Sequence, residues 1–319
     1  MRVQPGALGR WLHRLLTVGS IVLVVASLVV LHRFVRELDA ADVGAALRAL
    51  DPAAIAFAAT MVAGAYFTLT FYDYFALRTL RFRLPYHVAA MGGFASYAIG
   101  HSIGATSVAA ATIRYRVYAP YGLDALAVAK VCLIAGMTFW LGNAAFLGLG
   151  MASHPQAAAA VSHLPESLNR AIGVVLLAAI GLYLGWVGRR GRSVGYRDAE
   201  LRLPGRKLTL LQIAIGMADL TFCALAMHAL VPDPGVPFAA FAIVFISAML
   251  LGFASNTPGG LGVFDAAMLL GLSHVPAATV ASALVAYRIL YYLVPLALAV
   301  MLLVVREIVL ALRQTSSEP

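Results

Sequence analysis

Arg114 and Arg116 straddle Tyr115 shortly after a stretch broken by glycine, Gly100-His101-Ser102-Ile103-Gly104-Ala105-Thr106-Ser107, in sequence that is otherwise apolar. Two guanidinium groups beside a broken segment suit a phosphate, because each planar fork matches two phosphate oxygens at once. The bland alternative is a pair of interfacial arginines whose stems lie on apolar surface while their heads reach water. A second broken stretch, Ser255-Asn256-Thr257-Pro258-Gly259-Gly260-Leu261-Gly262, follows about 155 residues later. Gly259 and Gly260 permit a sharp turn and close backbone approach, and the helix that restarts after them offers N–H groups to an anion. Ser102, Ser107, Ser255 and Asn256 could add polar contacts in a shared cavity or merely cap half-helices. Arg288 lies about a dozen residues into the last apolar run, too deep to reach water along its own stem. It needs a buried acid, for which Asp219 and Asp265 are the candidates, or an anionic ligand. Asp265 also stands where a helix restarts, a position the helix dipole favours for a carboxylate. Asp73, a turn or so before Arg78, reads as interfacial, and His101 and Lys130 are the remaining ionisable groups expected at membrane depth.

The elements that must hold these residues are membrane helices. Hydrophobic residues make up 62% of the 319-residue chain and charged residues only 12%, which places it outside the range of soluble domains. Apolar runs long enough to span a bilayer occur near 15–31, 52–77, 124–150, 169–187, 208–231 and 276–305. The net charge of +9 comes from clustered basic residues. There is no basic stripe interleaved with aromatics, so the charge reads as topology rather than nucleic-acid binding. Arg2, Arg10 and Arg14 precede the first span, Arg78, Arg81 and Arg83 follow the second, and seven Arg or Lys lie between Arg189 and Lys207. Those ends, the 188–207 loop and both termini are expected in the cytoplasm, and the loops at 151–168 and 232–237 outside. Regions 86–122 and 238–275 must then each enter and leave on one side, as re-entrant helical hairpins with a broken stretch at each tip. Elements near 15, 52, 86 and 124 recur near 169, 208, 238 and 276 with reversed orientation. The expected fold is therefore all-α and polytopic, a single transmembrane domain over 1–319. It has six full spans and two re-entrant hairpins in an inverted-topology repeat, with halves at about 15–150 and 169–305. Residues 37–51 read as a short interfacial helix, with Asp39 or Asp42 as N-cap.

Much chemistry is excluded. There is no GxSxG, HExxH, P-loop or Rossmann pattern. Cys132 and Cys223 are isolated, and His154 and His163 lack metal spacing. No cofactor, metal or catalytic residue is expected. Gly181-Leu182-Tyr183-Leu184-Gly185 is a GxxxG pattern that permits close helix approach.

The stretch Ser96 to Ala105, followed by Ile113-Arg114-Tyr115-Arg116-Val117-Tyr118, Leu126 to Lys130 and Thr138-Phe139-Trp140-Leu141-Gly142-Asn143, resembles the membrane domain of lysylphosphatidylglycerol synthases, the multiple peptide resistance factors. Pro258-Gly259-Gly260-Leu261-Gly262-Val263-Phe264 matches a second signature of that family. The resemblance is firm over 86–143 and 250–265, and the span layout extends it over nearly the whole chain. It implies a flippase for aminoacylated phosphatidylglycerol in the bacterial inner membrane. It assigns aminoacyl transfer from charged tRNA to a separate soluble acetyltransferase-like domain, and the expectation is that this chain does not itself perform that transfer. Implied partners are a phospholipid, the membrane, a separately encoded synthase and a second copy of the chain. The expected lipid contacts are Arg114, Arg116, Arg288, Ser102, Asn256, Gly259 and Gly260, with Asp219 and Asp265 as supporting charges. A non-transporting lipid-binding scaffold is the alternative.

Overall fold

The computed structural model describes residues 48, 50–103, 106–162, 164–188, 193–194, 201–255 and 257–315. The first expected span at 15–31, all but the end of the 37–51 helix, Gly104, Asn256 and most of the basic loop lie outside the described residues.

Helix α1 (Pro52–Thr79) begins where Asp51 accepts from the Ala53 N–H and Pro52 occupies the first turn. This start needs no backbone donor from Pro52, and its ring presets the helical φ. Two short helices follow, α2 (Tyr86–Ile103) and α3 (Thr106–Tyr118), which pack on each other, with α2 also against α1. Helix α4 (Ala125–Ser153) is capped by Asp124, whose side chain accepts from the Ala127 N–H at 2.7 Å. A short helix α5 (Pro155–Ser162) occupies part of what the sequence suggests is a plain loop, because four consecutive alanines after a proline wind readily into helix. Then come α6 (Glu166–Val187), a two-residue strand pair β1 (Ser193–Val194) and β2 (Leu201–Arg202), and α7 (Arg206–Leu230). A second short pair, α8 (Phe238–Ala254) and α9 (Val263–Gly271), is joined through a 3-10 turn at Pro258–Gly260. The chain ends with α10 (Ala277–Arg288), a π turn (Ile289–Leu293) and α11 (Val294–Thr315).

Among the described residues, five helices are long and apolar enough to cross a membrane: α1, α4, α6, α7 and the compound helix Ala277–Leu310. They coincide with the five runs expected between 52 and 305. The protein is an all-α polytopic membrane protein, with one short strand pair among the described residues. The 18 residues of α2 and 17 of α8 measure about 27 and 25 Å at about 1.5 Å per residue, short of a bilayer core of about 30 Å. Their partners α3 and α9 are shorter still.

Two parts of the packing are alike. Helix α2 lies on α1 as α8 lies on α7, and the two anchors α1 and α7 pack on each other. Helix α4 touches α8, while α11 touches α2. At the crossing of α4 and α7 the backbones meet. A Cβ on Gly142 would stand 2.6 Å from the Gly216 Cα, and one on Gly216 would stand 2.8 Å from both the Gly142 Cα and the Thr138 carbonyl oxygen. Beside the crossing, Gln212 Nε2 donates to Thr138 Oγ1 at 2.8 Å. Close approach through small residues replaces the hydrophobic drive that helices lack in lipid. Gly216→Leu is expected to cost at least about 1–3 kcal/mol, read as a lower unfolding midpoint of the purified protein. By contrast, Gly181 and Gly185 face open space, so the GxxxG pattern makes no helix contact among the described residues.

The π turn has a local cause. Pro295 has no N–H to give the carbonyl four residues earlier, that of Tyr291. Tyr66 of α1 donates to this oxygen instead, at 3.0 Å.

Candidate functional site

The second broken stretch forms a tight tip because Gly259, Gly260 and Gly262 all take left-handed φ, at 59°, 66° and 81°, which a side chain would oppose. Arg288 fastens it. Its Nη1 donates to the Gly259 carbonyl at 3.1 Å, while Nη2 and Nε hold Asp265 at 2.6–3.2 Å. Asp265 Oδ2 also accepts from the Gly262 N–H at 2.9 Å. The two roles that the sequence left open for Asp265, helix start and arginine partner, are thus performed together. Asp219, the other candidate, is not the partner of Arg288.

The first pair carries a deeper ion pair. Arg114 on α3 grips Asp73 on α1 through Nη2 at 2.7 Å and Nε at 2.8 Å, and Tyr118 donates to the same carboxylate at 2.6 Å. Asp73 is fully buried and Arg114 2% exposed, so the carboxylate is enclosed by protein and paired rather than solvated. Residues five apart on a helix lie about 140° apart around it, so Asp73 faces α3 while Arg78 bonds Tyr74 on the outer side. The Arg114 guanidinium also stands 4.9 Å over the Tyr97 ring.

Arg116 is partly exposed and pairs with Glu307 at 2.6 Å, which also holds Arg306 at 2.8 Å. Two guanidinium groups share one carboxylate, leaving one positive charge in surplus within this trio. Ser102 is spent on its own helix, donating to Ala98 O at 2.8 Å. Asn256 lies outside the described residues.

Both tips meet at a central cavity of about 60 Å³, room for a few waters or one small ion. Its wall includes Tyr97 and His101 from α2, Asp219 and Cys223 from α7, Thr257, Gly259 and Gly260 from the second tip, and Tyr291 and Tyr292 from the π turn. Beside it runs an apolar groove of about 750 Å³ between α1, α2 and α11, with Phe67, Val294, Leu298 and Leu302 exposed along it. The groove's Tyr66 and the cavity's Tyr291 stand ring to ring at 5.5 Å, and His101 stacks on Tyr291 from the cavity side.

Tyr97, Tyr291 and Tyr292 are not among the residues that the sequence singles out, and His101 is singled out as an ionisable group at membrane depth but not as a lipid contact. His101 left a signal, a titratable group inside the broken stretch itself. The tyrosines left no such signal: Tyr97 sits in α2, and Tyr291 and Tyr292 are neighbours in the apolar last run.

A Synechocystis protein, slr0712, is 31% identical over 233 residues, 72% of each chain. The inner membrane protein YbhN of Escherichia coli is 25% identical over 278 residues, 86% of this chain and 87% of YbhN. The phosphatidylglycerol lysyltransferases of Staphylococcus epidermidis and Staphylococcus aureus are 36% and 40% identical over 107 and 110 residues, 33% of this chain and 12% of each enzyme. The chain belongs to the family of lysylphosphatidylglycerol synthase membrane domains. No family model matches it. The relatives that align over most of this family member's length include a named membrane protein, and the lysyltransferases share only a third of it.

Proposed function

We propose that this protein moves a phospholipid between the leaflets of the bacterial inner membrane, with aminoacylated phosphatidylglycerol as one candidate cargo. The observation that carries the proposal is the apolar groove lying against the cavity between the tips, with the Tyr66–Tyr291 contact between them. The groove accepts acyl chains; the cavity beside it, sized for a few waters or one small ion, must widen as the polar head passes. In this reading α2–α3 and α8–α9 are re-entrant hairpins entering from opposite faces of an inverted repeat, with six full spans once 15–31 is counted, and both termini and the 188–207 loop are cytoplasmic. The shortness of the four helices and the packing shared by the halves support it.

The surplus charge of Arg116 and Arg306 over Glu307 suits a lipid phosphate at the head of the path. Arg114 and Arg288 already hold carboxylates, so either must exchange its partner for a phosphate to touch the cargo. Gly259 and Gly260 shape the wall that the headgroup passes. The similarity to lysyltransferases favours a second reading, a membrane subunit working with a separate lipid-modifying synthase.

Reconstitution into liposomes carrying fluorescent phosphatidylglycerol, followed by chemical bleaching of the outer leaflet, tests the proposal. Protein-dependent movement well above that of empty liposomes is expected, and its absence overturns the reading. The double variant Arg116→Ala, Arg306→Ala is expected to slow movement several-fold and to flatten its salt dependence, because exposed charges act through a screened field. An unchanged rate in the folded variant removes these arginines from the path.

A further inference from the structure

Asp219 has no task in the lipid path described above. It is 4% exposed on α7 and forms part of the cavity wall between the two tips. Its Oδ2 accepts from Tyr72 Oη at 3.2 Å, and the Cys223 thiol stands 3.9 Å from its Oδ1. Among the described residues no cation pairs with it, whereas Asp73 and Asp265 each hold an arginine. Neutral donors alone, Tyr72, Cys223 and the nearby Thr68 hydroxyl, do not balance a carboxylate taken out of water, where an isolated charge is strongly disfavoured. His101 lines the same cavity, and its buried Nδ1 has no hydrogen-bond partner among the described residues. The cavity therefore presents a carboxylate without a counter-charge and a ring nitrogen without a partner, in space suited to something small.

The neighbours leave the need unmet. Tyr72 comes from α1, Tyr97 and His101 from α2, Cys223 from α7 itself, Tyr287 from α10, and Tyr291 and Tyr292 from the π turn, all of them uncharged donors or rings when His101 is neutral. From α4, α8 and α9 the wall is Phe139, Met249, Phe253 and Phe264. Arg114 reaches Tyr97 but is held by Asp73, and Arg288 near Gly259 is held by Asp265. Aromatic faces beside a carboxylate attract positive charge.

We infer that Asp219 is the binding site for a single monovalent cation, a proton or an alkali-metal ion, taken up in the cavity between the two helix tips. If the ion is a proton, an O–H bond forms at the carboxylate on loading and breaks on release, with no other reactant consumed. Because both tips contribute to the wall, loading changes the charge that each tip faces. Ion binding does not depend on lipid movement, so it is tested apart from the transport reading.

The test is infrared difference spectroscopy of the purified full chain between about pH 5 and pH 8, reading the carbonyl stretch of a protonated buried carboxyl group. The band is expected in the wild type and in Asp51→Asn, an exposed cap, and is expected to be lost in Asp219→Asn. Should Asp219→Asn fail to elute as a monodisperse protein, Tyr72→Phe serves instead; it is expected to keep the band and move its midpoint by about half a pH unit or more. Saturable removal of the band by sodium chloride, but not by choline chloride, identifies an alkali ion; indifference to sodium identifies the proton. No titrating band and no sodium response, a band that persists in Asp219→Asn, or a midpoint unmoved in Tyr72→Phe overturns the inference.

Discussion

Arg114→Ala is expected to produce the largest loss of stability of any single charge removal in the protein, about 3–5 kcal/mol, read as a drop in the denaturant or thermal midpoint of the purified chain. The variant leaves Asp73, fully buried, with Tyr118 as its remaining side-chain donor among the described residues. Asp73→Ala is expected to do similar harm by stranding the guanidinium over Tyr97. The informative variant is the double replacement Arg114→Leu, Asp73→Leu. Apolar side chains of similar reach often substitute for a buried ion pair at little cost. If the pair serves only to join α3 to α1, the double variant recovers most of the lost stability and moves lipid at the normal rate. If it folds but moves lipid tenfold more slowly or worse, the charges themselves face the cargo.

Arg288→Ala is expected to be the second most damaging, at about 2–4 kcal/mol. The reduction reflects Asp265, whose side chain is 25% exposed and therefore partly solvated when its partner is gone. The effect differs in kind. Arg114 joins two helices, whereas Arg288 also holds a carbonyl at the tip, Gly259 O. Loss of Arg288 is therefore expected to loosen the 257–262 turn before the rest, seen as faster amide hydrogen exchange there than in α8 or α10. Arg288→Lys is expected to keep part of the stability but not the tip, because one ammonium cannot satisfy Asp265 and Gly259 in the fixed geometry of a guanidinium. Uniform exchange across α8, α9 and the turn in the alanine variant would show that the tip draws its order from elsewhere.

The features that sequence made legible are those set by local pattern. The spans followed from apolar length, which needs no knowledge of neighbours. The partner of Arg288 was narrowed to two acids because burial demands one, and Asp265, on the helix that starts at the tip, proved to be the one. Less legible was what three-dimensional facing decides. Asp73 and Arg78 are close in sequence, but helical rotation points the two apart, so that Asp73 meets Arg114 inside the protein. Glu307 lies 191 residues from Arg116, and nothing local announces that contact. The helix at Pro155–Ser162 was hidden by treating a stretch without basic residues as loop, although its alanines carry a clear propensity. The central cavity is a product of packing among α1, α2, α7, the second tip and the π turn, so its tyrosines were visible as residues but not as walls.

The bare backbone contact at Gly142 and Gly216 also bears on movement. With no side chain between them, α4 and α7 have no interlocking ridges at that point. One helix can swivel about the other there far more easily than it can slide past or separate. Relative movement of α4 and α7 is therefore expected to be a rotation about this crossing.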